Sequence, residues 1–256
     1  MAYRPISEGD VYLNEDGNLV VIHADYDCDS PREWNELSKF YTWHPHYCSP
    51  DGETAPSMES LADELDIDYD YEIGLFDLIE GINDKGGVAL PVSMYDHSGV
   101  VYRTGSPTQF PDWQWDAGYV GLIYMTAEQV AEHYAGQAPE NARAAARKAL
   151  EKEVDVYNDW ASGNCWYYVT YDKFGDQLDS CGGFIGENLE TNGLEDYAGK
   201  LNDCEFASLA DYVRHHANDT DVLLTEFSEA LRRAQHIAVE LQRRGVEVGP
   251  DDKMAA

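Results

Sequence analysis

Two short clusters hold most of the side chains that could do chemistry. Asp25-Tyr26-Asp27-Cys28-Asp29 sets three carboxylates on one side of the chain if the segment is extended. Such oxygens suit Mg²⁺ or Ca²⁺. A calcium loop also needs a mid-loop glycine and a distal glutamate, and the run through Ser30 lacks that glycine. His44-Pro45-His46-Tyr47-Cys48 alternates three zinc-type ligands. H-x-H-x-C is not a standard zinc spacing, and Pro45 restrains it. The favoured reading is an acidic strand end and a polar-aromatic loop, with no metal and no cofactor. A metal-dependent enzyme using the Asp25–Asp29 and His44–Cys48 cluster is the alternative.

Other motifs carry weaker chemistry. Asp96-His97-Ser98 has the residue types of a triad, but a triad is assembled in space from separate segments. Asp96 and Ser98 are turn formers. Asp179-Ser180-Cys181-Gly182-Gly183 could present a thiol, yet a reactive thiolate needs a nearby cation, and the neighbourhood is acidic. Phe110, Trp113 and Trp115 form an aromatic loop expected to pack over a sheet. No P-loop, Rossmann glycine pattern, H-E-x-x-H or G-x-S-x-G occurs.

The strongest signal is charge. The 256 residues carry 17 basic and 49 acidic side chains, a formal charge of −32. That excludes ordinary binding to phosphate backbones, which Lys and Arg must neutralise, and opposes docking on anionic lipid. The acid is unevenly spread. Residues 1–100 hold 22 acidic and 4 basic side chains, whereas 226–256 hold 6 and 5. A salt-adapted surface would lose its cations evenly. Instead one stretch stands out: Glu59, Asp63, Glu64, Asp66, Asp68, Asp70, Glu72, Asp77, Glu80 and Asp84, with no Lys or Arg among them. Concentrated like charge costs stability; a solvated face is the plain reading of such a run, and the alternative is that these ten residues are the partner-binding determinants.

The elements that must position these groups follow from periodicity. Asp-Gly at 16–17 joins strands 10–14 and 18–23 into a hairpin. Ser30-Pro31-Arg32-Glu33 opens a short helix bearing Trp34 and Leu37, with Glu33 closing a capping box. An irregular segment follows through Pro45, Pro50 and Gly52. Residues 57–84 read as one or two acidic helices with apolar positions Leu61, Leu65, Ile73, Phe76, Ile79 and Ile82, ended by Gly86-Gly87. Strands are expected at 88–95, 100–104, 119–125, 164–171 and 177–184, and helices at 126–134, 139–161, 206–217 and 221–244. The last helix carries a stripe of Leu223, Phe227, Leu231, Ala234, Ala238 and Leu241, stops at Gly245, and leads to a frayed tail at 250–256. Strands that come in hairpins between helices predict an α+β fold with a mainly antiparallel sheet over 1–186 and a C-terminal helical extension over 187–256. No run of about 18 apolar residues predicts a membrane span, and the first ten residues do not read as a signal peptide. Five widely spaced cysteines, without C-x-x-C, read as reduced thiols of a cytoplasmic protein.

Four stretches form an ordered set: Asp29-Ser-Pro-Arg-Glu-Trp34, Ser93-Met-Tyr-Asp-His-Ser-Gly99, Trp115-Asp-Ala-Gly-Tyr-Val-Gly-Leu-Ile-Tyr124 and Asp179-Ser-Cys-Gly182. Together with Glu153, Tyr157 and Trp160, they resemble a family of uncharacterised proteins encoded by phages and other mobile elements. Ala117 and Tyr119 stand where that pattern has Ser and Gln. The resemblance covers about residues 25–186, implies a phage or mobile-element origin and an intracellular setting, and transfers no catalytic residue. Joined to the acidic block, it leads to one expectation. The chain is a phage-type accessory protein that binds a basic DNA-binding host protein, as a mimic of DNA that inhibits a defence or DNA-processing enzyme. It binds neither nucleic acid nor membrane directly.

Overall fold

The computed structural model describes residues 3–34, 37–52, 54–217 and 220–244. Nine strands and eight helices occur among them, in an α+β arrangement. The strands are β1 (Val11–Leu13), β2 (Leu19–Ala24), β3 (Lys39–Thr42), β4 (Val88–Asp96), β5 (Val100–Thr104), β6 (Ala117–Met125), β7 (Cys165–Tyr171), β8 (Gln177–Ile185) and β9 (Asn202–Asp203). The helices are α1 (Met58–Glu64), α2 (Leu75–Asp84), α3 (Trp113–Asp116), α4 (Ala127–His133), α5 (Pro139–Ala161), α6 (Leu194–Ala198), α7 (Leu209–Ala217) and α8 (Thr220–Arg243). Gly245 and the tail at 250–256 lie outside the described residues.

The strands form two sheets where one was expected, a four-stranded sheet in the order β3-β6-β4-β5 and a five-stranded one in the order β8-β7-β2-β1-β9. The compact units are also discontinuous in sequence. One comprises 1–6, 24–167 and 182–193; the other comprises 7–23, 168–181 and 194–256. A division at 186/187 follows chain order. The N-terminal hairpin instead pairs with a late strand, since Tyr12 and Leu13 of β1 face Asp203 and Asn202 of β9.

In the first unit the four-stranded sheet is antiparallel throughout and carries helices on both faces. Strand alternation explains this directly. Leu90, Val92, Met94, Ile123 and Met125 pack with the α5 residues Ala142, Ala146, Leu150, Val154 and Tyr157. Their intervening neighbours Ala89, Leu122 and Tyr124 pack with Leu61, Ala62, Leu78, Ile79 and Ile82 of α1 and α2. The α5 positions recur every three or four residues, one face of a helix. Pro91 is tolerated in central strand β4 because Gly105, just past β5, donates to the Pro91 carbonyl at 2.7 Å, while the Gly105 carbonyl that the missing N–H would have served accepts from Ser93 Oγ instead.

β3 was read as irregular chain. It is a strand because Phe40 is fully buried, with its ring edge-on to Tyr102 and Tyr157, and because Lys39–Thr42 pairs with Gly121–Tyr124. That pairing needs Gly121, where a Cβ would lie 2.0 Å from the Tyr41 carbonyl oxygen. The expected helix after Ser30 is a single 3-10 turn, Pro31–Glu33. Ser30 caps it by accepting from the Arg32 N–H, and the Glu33 side chain closes no box.

In the second unit, Leu19, Val21 and Tyr212 form a small core with Val11, Leu13, Phe206, Leu209 and Val213. Tyr212 of α7 donates its hydroxyl to the Gly17 carbonyl at 2.8 Å, fixing the helix to the β1–β2 turn. Among the described residues, no helix is long and apolar enough to cross a membrane.

The close passage at Gly121 predicts a sharp contrast within one strand. Gly121→Ala should cost about 1–3 kcal/mol in urea unfolding, because the clash is with backbone. Gly118→Ala on the same strand meets nothing within 4 Å and should stay within about 0.5 kcal/mol. Equal midpoints for the two variants would contradict the β3–β6 pairing.

Candidate functional site

The acidic stretch is built on a buried apolar base. Ser57 caps α1 by accepting from the Ser60 N–H at 3.1 Å. Leu61 and Ala62 then turn inward, while Glu59, Asp63 and Glu64 stay exposed. The helix ends at Leu65, and Asp66 follows with a left-handed φ of 55°. Of the one or two helices expected over 57–84 there are two, and Asp66, Asp68, Asp70 and Glu72 lie on the non-helical segment between them. This connection is held because Ile67 and Ile73 are buried in the same core as Leu78, Ile79 and Ile82. Asp77 accepts from the Gly74 N–H at 2.8 Å, capping α2, and Glu80 and Asp84 continue along its outer face. Phe76, expected in the buried stripe, is 53% exposed and meets Tyr119 edge-on at 5.0 Å.

All ten expected carboxylates are thus exposed. Among the described residues, Asp66 is the one of the ten in a salt bridge, to Lys85 Nζ at 3.0 Å. Glu59 and Asp63, and Glu80 and Asp84, stand four apart on their helices. Like charges at that spacing destabilise a helix by about 0.2–0.5 kcal/mol per pair. Asp84 in the last turn of α2 also opposes the helix dipole. The face holds together through the apolar base beneath it.

The clusters that could hold a metal do not converge. Asp25 is used structurally: its Oδ2 accepts from the Gly183 N–H at 2.9 Å and its Oδ1 from the Asp27 N–H at 3.3 Å. A Cβ at Gly182 would lie 2.7 Å from Asp25 Oδ2, so that glycine admits the carboxylate. His44 accepts at Nδ1 from the His46 N–H at 3.3 Å, and its ring lies 4.9 Å from that of Tyr47. The 43–49 loop lines an open cleft of about 520 Å³ with Thr42, Thr54 and Ala55. Tyr47 donates to Asp96 Oδ2 at 3.0 Å, and this bond raises the phenol's pKa. His97 pairs through Nδ1 with Asp116 at 2.9 Å and stacks on Tyr95. Ser98 sits in the turn with a φ of 63°. Among the described residues, no group of three or more His, Cys, Asp or Glu side chains is placed to hold a metal ion.

The remaining motifs serve packing. Phe110 is buried between Tyr95, stacked at 5.5 Å, and the Arg103 guanidinium at 5.3 Å, while Trp115 is exposed. Tyr168 donates to Asp179 at 2.9 Å. Cys28 and Cys165 share a thiol–thiol hydrogen bond, and burial pushes the Cys165 thiol up to about 12. No disulfide joins cysteines among the described residues.

One assembly escaped the sequence reading of chemistry. The Arg32 side chain, only 3% exposed, donates from Nε and Nη2 to both oxygens of Asp51 at 2.7 and 3.0 Å. Its Nη1 donates to Glu153 Oε2 at 2.6 Å, and Nη2 also reaches the Ser38 carbonyl at 3.1 Å. Ser38 Oγ bonds the same Glu153 oxygen. Trp160 Nε1 donates to the Cys28 carbonyl at 3.0 Å. The resemblance motifs had singled out Arg32, Glu153, Tyr157 and Trp160. Their signal was structural: they tie the 28–51 segment to α5. No protein-family model matches the chain, and neither a curated protein nor a solved structure matches it.

Two measurements check this geometry. Arg32→Leu leaves two carboxylates uncompensated and should destabilise the fold by about 3–5 kcal/mol in denaturant titration. At pH 8, iodoacetamide should modify exposed Cys48 in the native protein and reach Cys165 only after denaturation. Native labelling of Cys165 at the Cys48 rate would contradict its burial.

Proposed function

We propose that the chain binds a basic DNA-binding protein through the acidic face of α1, the 65–74 connection and α2, and that it does so as a mimic of DNA. The observation that carries this reading is the exposure of all ten carboxylates on an apolar base, with Asp66 alone in a salt bridge among the described residues. An array of unneutralised carboxylates is costly in isolation and becomes favourable opposite Lys and Arg. Duplex DNA offers a basic groove about one charge per 1.7 Å of axis. The split of the face into two short helices and a connection makes it a two-dimensional patch rather than a single rod. That suits a groove or saddle more than a narrow slot. In a phage or mobile-element setting the partner is a host defence or DNA-processing enzyme, and occupation of its DNA site inhibits it.

The test neutralises charge and keeps the structural contacts, since Asp63→Asn retains the oxygen that accepts from the Tyr69 hydroxyl at 3.5 Å. Asp66 is left because it pairs with Lys85, and Asp77 because it caps α2. Glu59→Gln, Asp63→Asn, Glu64→Gln, Glu80→Gln and Asp84→Asn are combined. The variant should melt at or above the temperature of the parent, since two like-charge helix pairs are relieved. Immobilised parent protein should capture a basic protein from host lysate at low salt and release it as salt rises, and duplex DNA should compete. The variant should capture much less, with a flatter salt dependence. Unchanged capture and salt slope would reduce the acidic face to a solvated surface.

A further inference from the structure

The C-terminal helix offers a second surface of opposite character. α8 runs for 24 residues, about 36 Å at the helical rise. Leu224, Phe227, Leu231, Ala234, Ala238 and Leu241 follow one another at intervals of 3, 4, 3, 4 and 3, the a/d spacing of a coiled-coil seam. The N-terminal half of the seam is open: Leu224, Phe227 and Leu231 are 59%, 68% and 49% exposed, while Ala234, Ala238 and Leu241 are half-buried. The charged groups stand off it and pair within the helix, Arg233 with Glu229 and both Arg243 and Arg244 with Glu240.

We propose that this face binds a second copy of the same chain, helix against antiparallel helix. Three features select that occupant. First, the seam is complementary to its own reverse. About a midpoint between residues 232 and 233, Leu224 falls opposite Leu241, Phe227 opposite Ala238, and Leu231 opposite Ala234. In an antiparallel coiled coil a positions face d positions, as here, and the central layers each match a bulky side chain with alanine. Second, charge reverses along the helix. By sequence, the first half of α8 (220–231) carries carboxylates and no Lys or Arg, and the second half (232–243) carries three arginines against one glutamate, with Arg244 just past its end. Antiparallel pairing sets the acidic half of each helix against the basic half of the other, with Asp221 opposite Arg244 and with Arg232 and Arg233 at the midpoint but off the seam; parallel pairing sets like against like. Third, residues 226–256 are nearly neutral in a chain of −32, so this region can approach its own copy without the repulsion that the rest of the chain would impose. The result is an isologous two-fold interface. Its length, about two and a half heptads, falls short of the three to four that mark a free-standing coiled coil, so the dimer dissociates on dilution.

Sedimentation of the full chain over a range of concentrations tests this. The mass should rise from 28.8 kDa towards twice that value as concentration increases. Leu231→Glu, a good helix former placed on the seam, should raise the concentration needed for dimerisation by roughly tenfold or more while circular dichroism keeps its helix signal. Arg232→Glu, off the seam but a larger change of charge, should shift it much less. Ala234→Phe, which overfills the layer opposite Leu231, should weaken the dimer as Leu231→Glu does. A chain that stays monomeric at every concentration overturns the proposal, whether the face then seats another protein or a lipid surface. So does a dimer that Arg232→Glu disrupts as strongly as Leu231→Glu. The acidic-face reading is independent of either outcome, because its complex weakens with salt and its determinants lie in residues 59–84.

Discussion

The first unit depends on one desolvated cation. Arg32 sits at 3% exposure with a bidentate bond to Asp51 and a further bond to Glu153. Arginine suits this position because its planar fork satisfies two carboxylates at once and cannot lose its proton. The two acids come from a loop after β3 and from the middle of α5, and Asp51 also accepts from the Phe40 N–H at 2.8 Å. The guanidinium thereby fixes where β3 begins, and β3 brings Phe40 against Tyr102 and Tyr157 in the core. A buried ion trio of this kind adds little stability over an apolar substitute, yet removing one member is severe. Its contribution here is register: it specifies how a 3-10 turn, a strand and a helix far apart in sequence meet.

Seen this way, the chain sorts its charges by job. Of the four cations in residues 1–100, one is consumed inside the fold and another pairs with Asp66. Surplus carboxylate is then left to the surface, and most densely to the α1–α2 face. At the far end of the sequence the balance is restored on α8, where charges pair along the helix and the N-terminal half of the apolar stripe is left open. The acidic face and the nearly neutral, apolar helix are surfaces of opposite chemical character.

Much of this was legible in the residues, unevenly. The hairpin at Asp16-Gly17, the Thr126–Gln129 capping box and the α5 stripe emerged because local chemistry decides them. β3 did not, since four residues beside Pro45 and Pro50 carry too little periodicity, and its existence rests on Gly121 some eighty residues later. The acidic stretch was legible as composition but not as shape. Apolar spacing from Ile73 onward continued a helical pattern, while the left-handed turn at Asp66 that interrupts it has no strong local signal. The Arg32 assembly was visible only as motif fragments, because sequence spacing cannot show that residues 32, 51 and 153 share one site.

That same spacing sets an order of events during synthesis. Arg32 leaves the ribosome long before Glu153, and β3 before its partner β6. Tyr3, whose hydroxyl bonds Glu187 at 2.6 Å, and Pro5, bridged to Asn188, wait longer still. A unit assembled from 1–6, 24–167 and 182–193 cannot close until nearly two hundred residues have been made. The nascent chain therefore carries an arginine that lacks Glu153 and a β3 that lacks β6 while the intervening residues are made. Because such contacts are far apart in sequence, closure is slow as well as late. A chain of this design is most vulnerable to proteases and to wrong pairings while it is being born, and its strong negative charge, which keeps nascent copies apart, is the protection it carries through that interval.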